Sequence, residues 1–293
     1  MSTSRYRNVH VVVNPAAGQP EPILNVLNDV FNRHGVKWDV SLSHKFGDAT
    51  RLAQEAVTAG YDLVAGYGGD GTQMEIANGV KGSHIPMAIL PGGTGNAMAF
   101  DLKVPRDLRQ AVELICTSQK SRQVDLGQIG DRFFMLRTYT GVDAEKAASR
   151  EEKDKYGNLA YVTASIRVAH SMQDVPFVLT VDGERVETSA FVCMIFNAGS
   201  WGGIDIPDLP NVDSSDGFLD VVMISKSVRS LLSFASYQLD LGFGKTNALF
   251  LRGKEIQVES ATPQSVWIDG EAYGETPFTA VVIPEALQIV VPE

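Results

Sequence analysis

Along the first 125 residues, apolar positions switch repeatedly between short continuous runs and a helical period. Val9 and Val11–Val13 form an apolar run ending at Asn14-Pro15, which predicts a buried strand. In the segment 22–35, Ile23, Leu24, Leu27, Val30 and Phe31 recur at helical spacing and Gly35 closes the pattern. Val36–Leu42 alternates as a second strand, and 48–60 reads as a helix opened by Asp48 and ended by Gly60. YDLVAGY (61–67) and IPMAIL (85–90) supply a third and a fourth strand. Strands alternating with helices through short loops predict a parallel sheet covered on both faces, with ligands at the carboxyl ends of its strands.

After about Asp125 the period changes. Strand-like runs follow one another at 123–139, 177–196, 218–224, 253–260, 265–283 and 287–292. The Asp-Gly pairs at 182–183 and 269–270 predict tight hairpins. Amphipathic helical segments interrupt the runs near 159–170 and 228–238. The expectation is two domains: an α/β domain with a parallel sheet over 1–124, and an antiparallel β-sandwich with inserted helices over 125–293.

Charge sharpens that division. The chain has 25 Lys and Arg against 35 Asp and Glu, net −10. Residues 1–125 carry 12 of each sign, so the remaining 13 basic and 23 acidic residues leave the whole excess in 126–293. Nucleic-acid binding is excluded as a reading, because phosphate contacts need clustered Lys and Arg. With 44% apolar and 20% charged residues, disorder is excluded too. Cys116 and Cys193 sit in apolar contexts and read as buried thiols, and the histidines and cysteines show no zinc spacing. The N-terminal apolar run is shorter than the roughly 7–15 residues of a secretory core, and no stretch reaches the ~18 needed to cross a bilayer. The expectation is a soluble cytoplasmic protein.

The candidate chemistry lies in the glycine-rich loops. Gly66, Gly68 and Gly71 satisfy GxGxxG, but about 20 residues further on, where a dinucleotide site places a carboxylate, stands Ile89-Leu90-Pro91-Gly92. Asp70 within the turn would repel a pyrophosphate unless a metal intervened. A nucleoside triphosphate with Mg²⁺ accounts for both: glycines admit backbone N–H groups to phosphate oxygens, and Asp70 faces a metal or a reacting hydroxyl. PGGTGN repeats the logic with Thr94 and Asn96, and NPAAG supplies Asn14 and Gly18.

GGDGT followed by Glu75, LPGGTGN over 90–96 and a first strand ending in NPAAG resemble the diacylglycerol kinase catalytic-domain family, which includes soluble bacterial lipid kinases and sphingosine kinases and is more distantly related to NAD kinases. Ser43 ahead of KFGDA, VDLG at 124–127, TGVDAE at 140–145, DSSDGFLDV at 213–221 and IDGE at 268–271 extend the likeness over nearly the whole chain. The resemblance implies a Rossmann-like three-layer nucleotide-binding domain followed by a β-sandwich, and ATP- and Mg²⁺-dependent transfer of a phosphoryl group to a lipid hydroxyl, diacylglycerol or a related glycerolipid. It implies ATP contacts from Asn14, Pro15, Ala16, Ala17, Gly18, Ser43, Gly68, Gly69, Asp70, Gly71, Thr72, Glu75, Thr94 and Asn96. Glu271 matches the proton acceptor of bacterial members. Asp70 lies at the Mg²⁺-triphosphate or takes the substrate proton. Asp125 matches an Asp–water–Mg²⁺ network, and Asp213, Asp216 and the Phe218 carbonyl match a second Mg²⁺ site. From the residues alone, 213–217 reads as a turn.

Gln73-Met74 and Ala97-Met98 depart from the family pattern and bear on the acceptor more than on ATP. Asp182-Gly183-Glu184 reads as a plain hairpin. GFGKT at 242–246 lacks the first glycine of a Walker A loop, Leu239 standing there. No GxSxG occurs, and no histidine has an evident nucleophile partner. Two other functions stay open: a kinase of a soluble acceptor, like NAD kinase, and a nucleotide-binding sensor with little catalysis. A lipid acceptor requires transient peripheral contact with a membrane, for which the segment 159–170 and the loop with Trp201 are candidates, and a homodimer stays open.

Overall fold

The computed structural model describes residues 4–17, 21–141, 173–198, 212–225 and 248–293. The first part follows the alternation read from the sequence: β1 (Asn8–Val13), α1 (Ile23–His34), β2 (Lys37–Leu42), α2 (Asp48–Ala59), β3 (Leu63–Gly68), α3 (Asp70–Val80), β4 (Met87–Pro91), α4 (Ala97–Asp101) and α5 (Leu108–Thr117). β2, β1, β3 and β4 pair in that order, all parallel. The central strands are buried on both faces, so they read as continuous apolar runs. α1 packs through Leu27, Val30 and Phe31. Leu24, read on the same stripe, is 52% exposed, whereas Ile23 and Val26 on either side of it pack partly against the core.

The second part is antiparallel: β5 (Ser121–Ile129), β6 (Arg132–Phe134), β7 (Arg137–Thr140), β8 (Val175–Val181), β9 (Glu184–Ala190), β10 (Val192–Phe196), β11 (Leu219–Ile224), β12 (Ala248–Gly253), β13 (Glu255–Ser260), β14 (Ser265–Ile268), β15 (Glu271–Glu275) and β16 (Phe278–Val290). One sheet has the order β12-β11-β10-β7-β14-β15. Its inward residues, among them Ile195, Val221 and Val266, share a core with Phe177, Val258 and Ala280 of the facing sheet. Both Asp-Gly pairs form two-residue hairpin turns, with φ +48° and +89° at 182–183 and +47° and +92° at 269–270.

β16 departs from the sequence reading. The runs at 278–283 and 287–290 are one strand with a bulge at Glu285 (φ +52°), paired along its length with β5. Phe278, Ala280 and Val282 belong to the sandwich core, whereas Leu287, Ile289 and Val290 belong to the core of the first sheet, where Ile289 pairs with Met87 of β4. The result is a 10-stranded sheet running through both parts, and β5 crosses position 125 without interruption. Gly18, residues 142–145 of the TGVDAE motif, the segments 159–170 and 228–238, the loop with Trp201 and GFGKT at 242–246 lie outside the described residues.

Candidate active site

The site is built at the carboxyl ends of β1, β3 and β4, where backbone bonds tie the loops together. Asn14 donates its amide to the Tyr67 carbonyl, Gly92 to the Gly68 carbonyl and Ser43 to the Val13 carbonyl, each at 2.9 Å. The Asn14 side-chain amide donates to Thr72 Oγ1 at 3.0 Å, which joins the NPAAG loop to the first turn of α3. Asn14 Oδ1 also accepts from the Ala16 amide at 3.0 Å.

The GGDGT and PGGTGN loops touch backbone to backbone. A Cβ on Gly93 would stand 2.5 Å from the Gly69 Cα, and one on Gly68 would stand 2.5 Å from the Thr72 side chain. Asp70 opens α3 and bridges the two loops: its Oδ1 accepts from the Met98 amide at 3.2 Å, and Gly95 lies against its Oδ2. Asn96 closes its own loop, accepting from the Gly93 amide at 2.9 Å. Pro15, Ala16, Gly71, Thr94 and Gly95 are exposed around this floor. A helix leaves its first amides without internal acceptors, so the start of α3 offers N–H donors beside one carboxylate. Donor-rich backbone, space opened by missing Cβ atoms and a single hard-oxygen ligand fit a metal-bound polyphosphate.

Glu75 faces away from the loop that names it. Its Oε2 accepts from the amides of Gly47 (2.9 Å) and Ala49 (3.1 Å) at the start of α2. Burial raises its pKa, those amides lower it, and the charge of Glu271 raises it further. Glu271 of the second part therefore lies within electrostatic reach of the nucleotide-loop helix. It opens β15 and pairs with Arg132 at 2.8 Å.

Asp125 and the 213–218 loop form a separate constellation. Asp125 is 2% exposed, and its oxygens accept from the amides of Gly217 (2.7 Å) and Glu285 (2.8 Å). Asp213 pairs with Arg122, and Asp216 with Arg252 at 3.0 Å, while Arg252 also holds the buried Asp220 through two bonds of 2.8 Å. Asp216 further accepts from the Phe218 amide at 3.1 Å. Among the described residues no three His, Cys, Asp or Glu side chains gather as a metal-holding group. As these side chains stand, the loop's carboxylates do not fit a divalent cation without displacement of both arginines.

Sequence reasoning singled out Asp70 and Glu271 but not their partners. The Met98 amide and Arg132, like Arg122 and Arg252 beside the 213–218 loop, carry no motif signal, because each is recruited by folding from a distant element. Asp269 enters the sequence reading as a hairpin turn and as part of the IDGE motif, without a role of its own. Its partly buried carboxylate accepts from the amides of Met135 (2.8 Å), Leu136 (3.2 Å) and Arg137 (2.8 Å), which fixes the hairpin that carries Glu271. Cys116 and Cys193 are buried free thiols, both pushed up to about 12 by burial.

Known proteins share this fold. The model of the diacylglycerol kinase catalytic domain matches residues 8–129, and that of the YegS C-terminal NAD kinase beta sandwich-like domain matches 137–291. The chain belongs to the diacylglycerol kinase/YegS family of kinases. A Staphylococcus haemolyticus protein provisionally named a lipid kinase is 29% identical, over 85% of this chain and 84% of its own. A Staphylococcus saprophyticus diacylglycerol kinase is 24% identical, over 98% and 96%. A Bacillus anthracis structure provisionally described as a diacylglycerol kinase superposes with a TM-score of 0.84 at 27% identity, covering 99% of both chains.

Proposed function

We propose that the protein transfers the γ-phosphoryl group of ATP to the hydroxyl of a diacylglycerol-like lipid. The observation that carries this reading is the meeting of the GGDGT and PGGTGN loops at Asp70, with the NPAAG loop tied to the same helix through Asn14 and Thr72, and with Glu271 of the second part linked to Glu75 of that helix through Arg132, Phe46 and the Gly47 amide. The loop amides and Thr72, Thr94 and Asn14 would hold the triphosphate. Mg²⁺, held by phosphate oxygens and Asp70, would supply charge neutralisation. The lipid oxygen forms its bond to Pγ as the bond from Pγ to the β-bridging oxygen breaks. The hydroxyl proton would pass to Glu271, and ADP would be the leaving group.

A lipid acceptor is supported by the apolar side chains around the loops. Phe46 precedes the Gly47 amide that binds Glu75, and Phe100 lies on the helix whose first turn binds Asp70; they are 67% and 45% exposed. Among the described residues no helix is long and apolar enough to cross a membrane, so a lipid would be reached by contact with a bilayer surface.

Purified protein with labelled ATP and Mg²⁺ should label diacylglycerol in mixed micelles and leave NAD unlabelled. Labelling of NAD alone would replace the lipid reading with a soluble acceptor, and nucleotide binding without transfer would leave a sensor. Glu271→Gln should bind ATP normally and lose about 10²–10⁴-fold in turnover; unchanged turnover would remove Glu271 as proton acceptor.

A further inference from the structure

Arg132 begins β6 and Glu271 begins β15, strands of different sheets, yet their side chains meet at 2.8 Å while about a third and a half exposed. The Arg132 guanidinium also lies 5.8 Å from the centre of the Phe46 ring. Phe46 stands on the segment between β2 and α2, directly before the amide of Gly47 that binds Glu75. Four residues thus form a continuous path from the acceptor side to the nucleotide side: Glu271, Arg132, Phe46 and, through Gly47, Glu75.

The carboxylates at its two ends repel each other. Glu75 is fixed by two backbone amides, whereas Glu271 sits at the start of an exposed strand where a carboxylate turns readily to water. A guanidinium is always charged, and its planar face stacks on an aromatic ring while its edge binds a carboxylate, which suits it to this junction.

We propose that Arg132 is a positioning residue for phosphoryl transfer, holding the Glu271 carboxylate toward the nucleotide loops and itself steadied by Phe46. This rests on Glu271 being the proton acceptor. Loss of Arg132 then leaves ATP binding intact and lets the base leave its place, so kcat falls while the KM for ATP stays.

The test combines kinetics with a readout independent of activity. Arg132→Gln should lower kcat about tenfold with the KM for ATP within about twofold, and Arg132→Lys should recover most of the loss. In a Glu271→Gln background, Arg132→Gln should add nothing, because the residue acts through Glu271. Carbodiimide labelling of Glu271, read by mass spectrometry, should be slow in the wild type and Arg132→Lys and several-fold faster in Arg132→Gln. Equal labelling, or losses that add in the double variant, would overturn the proposal. A wild-type rate in Glu271→Gln alone would instead strike the reading of Glu271, while labelling still decides whether Arg132 holds it.

Discussion

Asp70, at the start of α3, and Asp125, in the middle of β5, differ in what their carboxylates bind. Asp70 uses one oxygen on the Met98 amide and keeps its second beside Gly95, at the open floor of the loops. Asp125 uses both oxygens on the amides of Gly217 and Glu285 and is buried. Asp125→Ala should therefore act on stability, leaving two amides without acceptors at about 1–3 kcal/mol each. Urea unfolding should show a loss of about 2–6 kcal/mol, and a loss below about 1 kcal/mol would mean that water replaces the carboxylate at little cost. Asp70→Asn should leave the urea midpoint within error and remove transfer. The sequence made both residues legible as motif members. It could not separate them, since a motif records a residue type and not which amides fold against it.

At the scale of elements, the loops work as one surface because glycine lets them touch. Gly93→Ala would push a Cβ to 2.5 Å from the Gly69 Cα, and backbone on both sides has nowhere to yield. Such overpacking typically costs about 1–3 kcal/mol. The change should weaken ATP binding by at least tenfold in calorimetry while far-UV circular dichroism stays native; ATP binding equal to wild type would show that the loops move apart freely. Gly274→Ala, outside the loops and with open space around its Cβ position, is the control. The strands β1 to β4 and the helices α1 and α2 were legible because each has its own apolar period and a glycine, Asp or Pro to punctuate it; α4 and α5 were not placed by the sequence reading. β16 was not: Pro284-Glu285-Ala286 looks like a turn between two strands. The positive φ of Glu285 and its amide's bond to Asp125 make it a bulge in one strand instead. Pairing with β4 is a contact between residues about 200 apart in the chain, and no local pattern encodes it.

In the acidic second part, Asp213, Asp216, Asp220 and Glu271 pair with arginines while Asp182 and Asp269 accept from backbone amides, and one consequence can be read as pH dependence. Asp269 has its pKa raised from 3.8 to about 6, burial outweighing the opposing amides of Arg137, Met135 and Leu136. The folded protein therefore binds this proton more tightly than the unfolded chain. Between about pH 4 and pH 6 the folded state holds more protons, so this group's contribution to stability falls as pH rises and is flat above the folded pKa. Glu75, Asp101 and Asp216 are raised as well, while Asp29 and Asp48 are lowered, so the total profile mixes both signs. The difference between wild type and Asp269→Asn isolates one term. The variant should be less stable at every pH, since an amide cannot accept from all three backbone groups. From pH 7 to pH 5 the wild type should gain about 1 kcal/mol over it in urea unfolding, from the shift of the one proton. A constant gap across that range would mean that Asp269 titrates alike in both states, and that its three amides offset the whole cost of burying the charge. A growing gap would make the hairpin that carries Glu271 firmest at mildly acid pH, with stability and the demand for an ionised base pulling in opposite directions.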